Sequence, residues 1–343
     1  MKELVLRVAA SERLGGLASV LTRGTATVFM MHRFADEEAG IPGHSLAILR
    51  ETLATLRRRR YRLEPLAGVV SRLQRGEPMP AKTVCFTVDD GYTDFHRVAL
   101  PIFEEFECPV TVFLPTGAVD APRWLWWDRL FCAFEETPRS SADIELGDRQ
   151  LALSWSDFDS RRRVATTVIE GLKAVRGSAR DAAVERIVAA LDCELPPLPP
   201  ARFRLMRWDD VRDAESRGAS FAPHTVSHPV LSEIPAERVA HEIAESWRRL
   251  QQETRAAVPI FCYPYGQPFS FGEREQSLVR DAGLVAAVSA HHAYVDAGSF
   301  DPRLPLARFA LPRFSFEESA ERCLKVASGI ERMQAALSSL VGR

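Results

Sequence analysis

The stretch Thr83–Asp94, which reads TVCFTVDDGYTD, decides the fold class of this 343-residue chain. Its β-branched and aromatic first half is typical of a buried strand, and it ends in two acids followed by Gly91. The carboxyl ends of such strands are where α/β folds place their chemistry. Because side chains alternate along a strand, Asp89 and Asp90 are expected to diverge and to have different roles. The alternative is that both acids only cap the next helix.

A second cluster, Phe221–Pro229 (FAPHTVSHP), also follows a short apolar stretch and contains His224 and His228. Two imidazoles and a carboxylate can form one side of a metal site. Histidine nitrogens with a carboxylate oxygen are the ligands of catalytic zinc sites, which keep a position open. The spacing of four also suits a helix, but Pro223 and Pro229 bracket the segment and favour a turn. Taken singly, each histidine could instead be a hydrogen-bonded loop residue.

A third stretch, Ile260–Gly266 (IFCYPYG), is an apolar strand that ends in a Pro-Tyr-Gly turn. With the three stretches in this order, the chain resembles the polysaccharide deacetylases of carbohydrate esterase family 4, the NodB-homology group. Their first motif, Thr-Phe-Asp-Asp-Gly, corresponds to Thr87–Gly91, and their second, His-Ser/Thr-x-x-His, to His224 through His228. Val88 and Cys262 depart from the family pattern, and the arginine that usually precedes Pro-Tyr-Gly is missing.

The resemblance covers residues 28–314 apart from a middle insertion, and it implies an α/β fold, a distorted (β/α)7-type barrel with a mostly helical insertion. The expected parts are an N-terminal helical extension (1–23), the barrel (24–120 and 205–316), an insertion or cap (121–204) and a C-terminal helix (317–343). The tryptophans at residues 124–127 are expected to anchor the insertion to the barrel, with stacking on sugar rings as the alternative.

The local pattern agrees with a parallel sheet. After the strand of the first motif, Val98–Glu107 suits a helix and Pro109–Leu114 a strand, and strand, helix, strand implies parallel pairing. Within the insertion, the aromatic stretch Trp124–Asp128 is expected to be followed by polar turns and then two helices.

The early stretch Ala26–Phe34 (ATVFMMHRF) predicts a strand that ends in His32. By itself, His32 would more often be a hydrogen-bonded loop residue. The chain is similar, however, to a branch of the family with a circularly permuted barrel, which includes the poly-N-acetylglucosamine deacetylases and opens on a strand ending in Tyr-His. In that branch the early histidine is the catalytic acid. Unpermuted members place their acid late in the chain, so His291 and His292 remain rivals.

The resemblance also implies a metal site. Asp90, His224 and His228 would bind a divalent metal, with Zn²⁺ expected and Co²⁺, Ni²⁺ or Mn²⁺ as alternatives. Such an ion lowers the pKa of bound water and polarises the acetyl carbonyl.

The remaining catalytic roles follow from the same resemblance. Asp89 would be the general base, and the backbone N–H of Tyr265 would help to hold the oxyanion. His32 would protonate the leaving amine. Arg313, at a strand end, is expected to replace the missing arginine by pairing with Asp89.

The composition excludes several classes of protein. With 46% hydrophobic residues, 26% charged residues and a formal net charge of −2, nothing indicates a nucleic-acid partner. Charges at Glu3, Arg7, Glu12 and Arg13 interrupt any secretory apolar core, so we expect no signal peptide, no membrane span and a cytoplasmic location. The six cysteines include no C-x-x-C pair and are expected to be free thiols.

The predicted function is therefore removal of an N-acetyl group from an acetylated amino sugar by a metal-dependent hydrolase. The substrate, the expected partner, would be a polysaccharide, an oligosaccharide, or a lipid-linked or nucleotide-linked saccharide. One alternative is a C–N amidohydrolase that acts on a small amide with the same barrel. The other is a non-catalytic relic that binds carbohydrate.

Overall fold

The computed structural model describes residues 15–146, 149–173 and 175–332. They divide into two compact units: one contains the chain up to Asp120 and from Leu205 onward, and the other contains Ala121–Arg204. The predicted N-terminal extension and C-terminal helix lie partly outside the described residues. Within the described ranges, no helix combines the length and the apolar composition that a bilayer crossing requires.

Strands and helices alternate along most of the chain. The strands are β1 (Thr25–Met31), β2 (Arg62–Leu63), β3 (Thr83–Val88), β4 (Val110–Leu114), β5 (Ser141–Leu146), β6 (Arg149–Ser154), β7 (Ala219–Pro223), β8 (Ile260–Cys262), β9 (Ala286–Val288), β10 (Val295–Asp296) and β11 (Phe314–Ser315). The α-helices are α1 (Gly15–Leu21), α2 (Leu46–Arg58), α3 (Leu66–Gln74), α4 (Leu100–Glu105), α5 (Thr116–Asp120), α6 (Trp126–Glu136), α7 (Phe158–Leu172), α8 (Gly177–Ala190), α9 (Trp208–Ser216), α10 (Ala236–Glu253), α11 (Glu273–Asp281) and α12 (Ala320–Ala327).

The main sheet has the strand order β10-β1-β3-β4-β7, with β11 also paired to β1 and β2 to β3. All of these pairs are parallel except β1 with β10. β8 and β9 form a separate parallel pair. The first unit is therefore an α/β structure with a mostly parallel sheet, as predicted from the alternation of strand and helix patterns.

The strand ladder of the described residues does not close, so the predicted barrel is not confirmed. At one gap, the N–H of Val258 donates to the carbonyl of Phe221 over 2.8 Å. At the other, Leu311 forms only an isolated bridge with Val288. Pro259 directly precedes β8, and because proline has no N–H to donate, it limits pairing at this edge.

The sheet register brings the predicted site residues to one edge. β1 and β3 end at the same level, and so do β4 and β7. His32, Asp89 and His224 are the residues that directly follow β1, β3 and β7. Because the carboxyl ends of parallel strands meet at one edge of a sheet, these three side chains project from the same edge.

The helix predicted at Val98–Glu107 is placed differently in the structure. A π-helical turn at Phe95–Ala99 leads directly into α4, which ends two residues earlier than expected. The helical segment therefore starts immediately after Asp94, close to the first motif. π-Helical turns are rare and are frequently found at functional sites.

The second unit contains more β-structure than predicted. Its helices α6, α7 and α8 surround a core that includes Leu130, Phe134 and Trp155. β5 and β6 form an antiparallel hairpin where polar turns were expected. The signal was an alternation of apolar and polar residues, because Ala142 and Ile144 are buried while their neighbours are exposed. The role of this unit as a cap stays a prediction.

Gly266 provides a test of how tightly the third motif packs. It has a φ of +63°, and a Cβ added there would lie 2.6 Å from the backbone nitrogen of Ala290. Gly283 has a φ of +82°, but a Cβ there would meet nothing within 4 Å. Gly283→Ala should therefore lower the free energy of unfolding only by the left-handed backbone cost, about 1–2 kcal/mol. Gly266→Ala should lower it further, as measured by urea unfolding. Equal losses in the two variants would contradict this packing.

Candidate active site

Asp90, His224 and His228 bring three metal-binding atoms together. The Nε2 atoms of the two histidines lie 3.2 Å apart. Oδ1 of Asp90 lies 3.7 Å from Nε2 of His224 and 3.4 Å from Nε2 of His228. All three residues are buried. Two motifs that are distant in sequence thus meet beyond the ends of β3 and β7.

The arrangement of these donors fits a divalent cation. Ligand atoms about 2.1 Å from a tetrahedral ion lie about 3.4 Å from one another, close to the separations of this group. Two imidazole nitrogens with one carboxylate oxygen also match the ligand chemistry of catalytic zinc sites, in which a further position stays open. The three residues can therefore hold a divalent metal.

The protonation of the two histidines suits the same role. Nδ1 of His224 lies 2.7 Å from the carbonyl oxygen of Cys262, so Nδ1–H donates to it and the lone pair stays on Nε2. Burial lowers the pKa of His224 to about 4. Burial, and then the neighbouring His224, lower the pKa of His228 well below its ordinary value. Both rings are neutral at neutral pH, which is the form that binds metals.

Asp89 forms a buried, two-pronged ion pair with Arg313. Nη1 of Arg313 donates to Oδ1 over 2.7 Å, and Nη2 donates to Oδ2 over 2.8 Å. Burial opposes ionisation of the Asp89 carboxyl, but the charge and hydrogen bonds of Arg313 outweigh it and hold the pKa of Asp89 below its ordinary value. Asp89 is therefore ionised at neutral pH.

The guanidinium of Arg313 has further partners. Its Nε donates to the carbonyl of Ser289 over 3.0 Å, and Nη1 donates to Oγ1 of Thr87 over 3.0 Å. Nη2 also lies 3.3 Å from Sγ of Cys262. Cys262, one of the departures from the family pattern, is thus in contact with the guanidinium expected to replace the missing arginine.

His32 lies beside the carboxylate of Asp89. Its Nε2 is 3.8 Å from Oδ2 of Asp89, and 47% of its side chain is exposed. The rival histidines have other contacts: Nε2 of His292 lies 3.2 Å from Oγ of Ser315, and His291 accepts the N–H of Arg313 with its carbonyl oxygen. The ring of His32 therefore lies beside the predicted base, and its side chain is partly exposed to solvent.

The backbone of the motif loops is strained. Among the described residues, eight other than glycine have a positive φ, and four of them belong to the motifs: Asp90, Thr225, His228 and Tyr265. Each such conformation costs on the order of 1–3 kcal/mol and persists only when the surroundings enforce it.

The third motif contacts the second through a pair of rings. The ring of Tyr265 lies 5.4 Å from that of His228, measured between centroids. The third motif is thus next to the metal-binding group.

The sequence model described as "Polysaccharide deacetylase" matches residues 76–287, which contain all three motifs. The chain belongs to the polysaccharide deacetylase family. His32 and Arg313 lie outside the matched residues. The positions of these two residues in the site are therefore known from the structure, because the family match does not cover them.

Two curated relatives are similar to part of this chain. They are poly-beta-1,6-N-acetyl-D-glucosamine N-deacetylases of Escherichia coli K12 and O157:H7, each 36% identical over 94 residues. The match takes in 26% of this chain but only 14% of the length of either relative.

Solved structures share the fold over most of the chain. The deacetylase PplD of Streptococcus pyogenes has a TM-score of 0.57 at 16% identity, covering 89% of this chain and 99% of that one. IcaB from Ammonifex degensii has a TM-score of 0.55 at 14% identity, covering 89% and 97%. At these identities the likeness concerns the fold.

Glu242 is a site-supporting residue that the sequence motifs do not reveal. It is fully buried on α10, and its Oε2 accepts the backbone N–H groups of Val226 and Ser227, each over 2.8 Å. Its Oε1 accepts the hydroxyl of Ser227 over 2.6 Å and is paired with Arg238 over 3.0 Å. The carboxylate thus holds the loop between His224 and His228. An acid on the inner face of an amphipathic helix was the available signal.

Glu242→Gln should weaken metal binding without removing a ligand. The amide cannot accept all of these hydrogen bonds, and loss of a partner that orients ligands typically lowers metal affinity about 10–100-fold. The measurement is competitive zinc titration with a chromogenic chelator. Glu245→Gln is the control, because Glu245 lies on the same helix and pairs with Arg248 on the surface. Equal zinc affinities for both variants would refute a role for Glu242 in holding the loop.

Proposed function

We propose that this protein is a metal-dependent hydrolase that removes an N-acetyl group from an acetylated amino sugar. The observation that carries the proposal is the ionised carboxylate of Asp89, which lies within 4.8 Å of a ligand nitrogen of His224 and 3.8 Å from Nε2 of the exposed His32. The family supports a carbohydrate substrate. A polysaccharide, an oligosaccharide and a lipid-linked or nucleotide-linked saccharide all carry the required N-acetyl group.

Asp90, His224 and His228 would hold the metal, with Zn²⁺ favoured by the two imidazoles and the open position. When bound, a divalent cation would supply Lewis acidity toward the acetyl carbonyl and toward water. Asp89 remains ionised because of Arg313, so it can accept a proton from the attacking water. Arg313 thereby keeps the base charged and fixes its orientation.

The proton for the leaving amine would come from His32. Water adds to the acetyl carbon, the C–N bond breaks, and the products are acetate and a free amine that has gained one proton. An amine expelled as its anion is a very poor leaving group, so an acid must lie near the base. The backbone N–H of Tyr265 would donate to the oxyanion that forms on the carbonyl oxygen.

A combined metal and acetate assay tests the proposed function. Purified protein should contain a divalent metal by mass spectrometry and should release acetate from at least one member of a panel of N-acetylated sugars and oligosaccharides. Bound metal without acetate release from any acetylated sugar would favour a hydrolase of small amides. Protein that binds no metal would favour a non-catalytic relic.

The two adjacent aspartates should respond differently to substitution. Asp89→Asn should keep its metal and lose about 10²–10⁴-fold in kcat, since it removes a proton acceptor. His228→Ala should lose metal and activity together, because it removes a ligand. Metal content and acetate release are measured on the same preparations. Metal loss in Asp89→Asn would mean that the roles of Asp89 and Asp90 are exchanged.

His32→Ala should leave metal binding intact, lower kcat by about 10²–10⁴-fold and remove the alkaline limb of the pH–rate profile. The reason is that His32 must be protonated in order to donate to the amine. His291→Ala and His292→Ala are the matched controls, and both should retain the wild-type profile. Activity that survives in His32→Ala but collapses in His291→Ala would assign the acid to the late part of the chain.

A further inference from the structure

Asp94 is a completely buried acid that none of the proposed catalytic steps uses. Its Oδ2 accepts the Nε–H of Arg33 over 2.6 Å, and its Oδ1 accepts the backbone N–H of Phe34 over 2.9 Å. Both donors belong to the turn that directly follows His32. One carboxylate therefore holds the turn that carries the proposed acid.

The same carboxylate belongs to the loop that carries the proposed base. Asp94 lies just beyond the first motif, five residues after Asp89. Tyr92, in the same loop, places its ring under the guanidinium of Arg33, with 4.0 Å between the guanidinium carbon and the ring centroid. The cation–π contact and the ion pair together hold the loop that follows β1 against the loop that follows β3.

The backbone around His32 is fixed on both sides. Before it, the carbonyl of Met31 accepts the N–H of Asp89 over 2.8 Å. After it, the carbonyl of Arg33 accepts the N–H of His44 over 2.8 Å. A Cβ on Gly43 would lie 2.5 Å from the carbonyl carbon of Arg33, so the backbone is packed closely there. These contacts therefore hold the backbone that carries the exposed ring of His32.

An ion pair with one fully buried partner, Asp94, and one 20% exposed partner, Arg33, is a costly way to gain stability. Removing two charges from water costs several kcal/mol per ion, and apolar residues of the same size often stabilise a fold at least as well. Burial raises the pKa of Asp94, and Arg33 and the N–H of Phe34 oppose that rise. The pair is therefore better explained by the geometry that it enforces than by its contribution to stability.

We infer that Arg33 and Asp94 are positioning residues that set the separation between His32 and Asp89. The inference rests on the proposed function, because it assigns the two residues to the alignment of its acid and base. A shift of about 1 Å in a reacting group can cost about 10²-fold in rate. The loss of rate should affect the step in which His32 protonates the leaving amine.

The test compares two acetyl substrates that differ in their leaving groups. An N-acetylglucosamine oligomer expels an amine that must be protonated, whereas p-nitrophenyl acetate expels a stable phenolate. In Asp94→Asn, kcat for the oligomer should fall about 10²-fold with KM nearly unchanged. Hydrolysis of p-nitrophenyl acetate should stay within about twofold of wild type, because it needs no acid. Arg33→Met should behave likewise, and Arg33→Lys should recover part of the loss.

Glu104→Gln serves as the matched control, because it breaks a surface ion pair with Arg217 in the same unit. Zinc content and circular dichroism verify that each variant is folded. Equal losses on the amide and the ester in both Asp94→Asn and Arg33→Met would overturn the inference and make the pair merely structural. Unchanged rates on both substrates would overturn it as well.

A crystal structure of Asp94→Asn separates this inference from the proposed function. The separation between Nε2 of His32 and Oδ2 of Asp89, 3.8 Å in the wild type, should change in the variant. If the wild type releases no acetate but this separation changes, the proposed function fails and the positioning role stands. An unchanged separation overturns the positioning role whatever the activity.

Discussion

The buried ion pair between Arg313 and Asp89 is the interaction on which the candidate site depends. The side chains of Arg313 and Asp89 are 1% and 4% exposed, so neither charge has solvent to stabilise it. Such a pair is favourable only when its geometry is good and its remaining donors are satisfied. The hydrogen bonds to Ser289 and Thr87 meet that condition. They also link β3 to the segments after β9 and before β11, so side chains span a gap where the strand ladder is open.

Buried carboxylates have the same structural role at two further places. Glu242 accepts N–H groups from the histidine loop, and Asp94 accepts an N–H from the turn after β1. These loops lie beyond the ends of β1 and β7, where the regular strand ladder stops. A buried acid with several acceptor sites replaces that pairing. The strained backbones at Thr225 and His228 lie in the loop that Glu242 holds, which explains how they persist.

Sequence patterns predicted the parts of the fold that depend on local chemistry. The apolar runs that end in acids or histidines predicted β1, β3 and β7. The family resemblance implied that Asp90, His224 and His228 would lie together, and the structure brings them together. The hairpin of the second unit was missed because its alternation is short and contains charged residues. The open ladder was missed because closure depends on long-range pairing, which a family resemblance only implies.

The supporting residues were harder to predict for a physical reason. Glu242 and Asp94 act through backbone N–H groups, which every residue except proline has, so no motif records them. Arg313 was placed by its position at a strand end, but its contacts with Cys262 and Ser289 depend on how three segments pack. Burial of a charged side chain is a tertiary property, and periodicity alone does not reveal it.

The sequence separation of the ion pair has a consequence for protein synthesis. Asp89 and Arg313 are 224 residues apart, so a ribosome adding about 5–20 residues per second makes the arginine about 11–45 s after the aspartate. Until then the strand that carries the acid has no guanidinium to neutralise it, and burying that strand is opposed by the cost of desolvating an unpaired carboxylate. The nascent chain can therefore form this ion pair only after Arg313 has been synthesised.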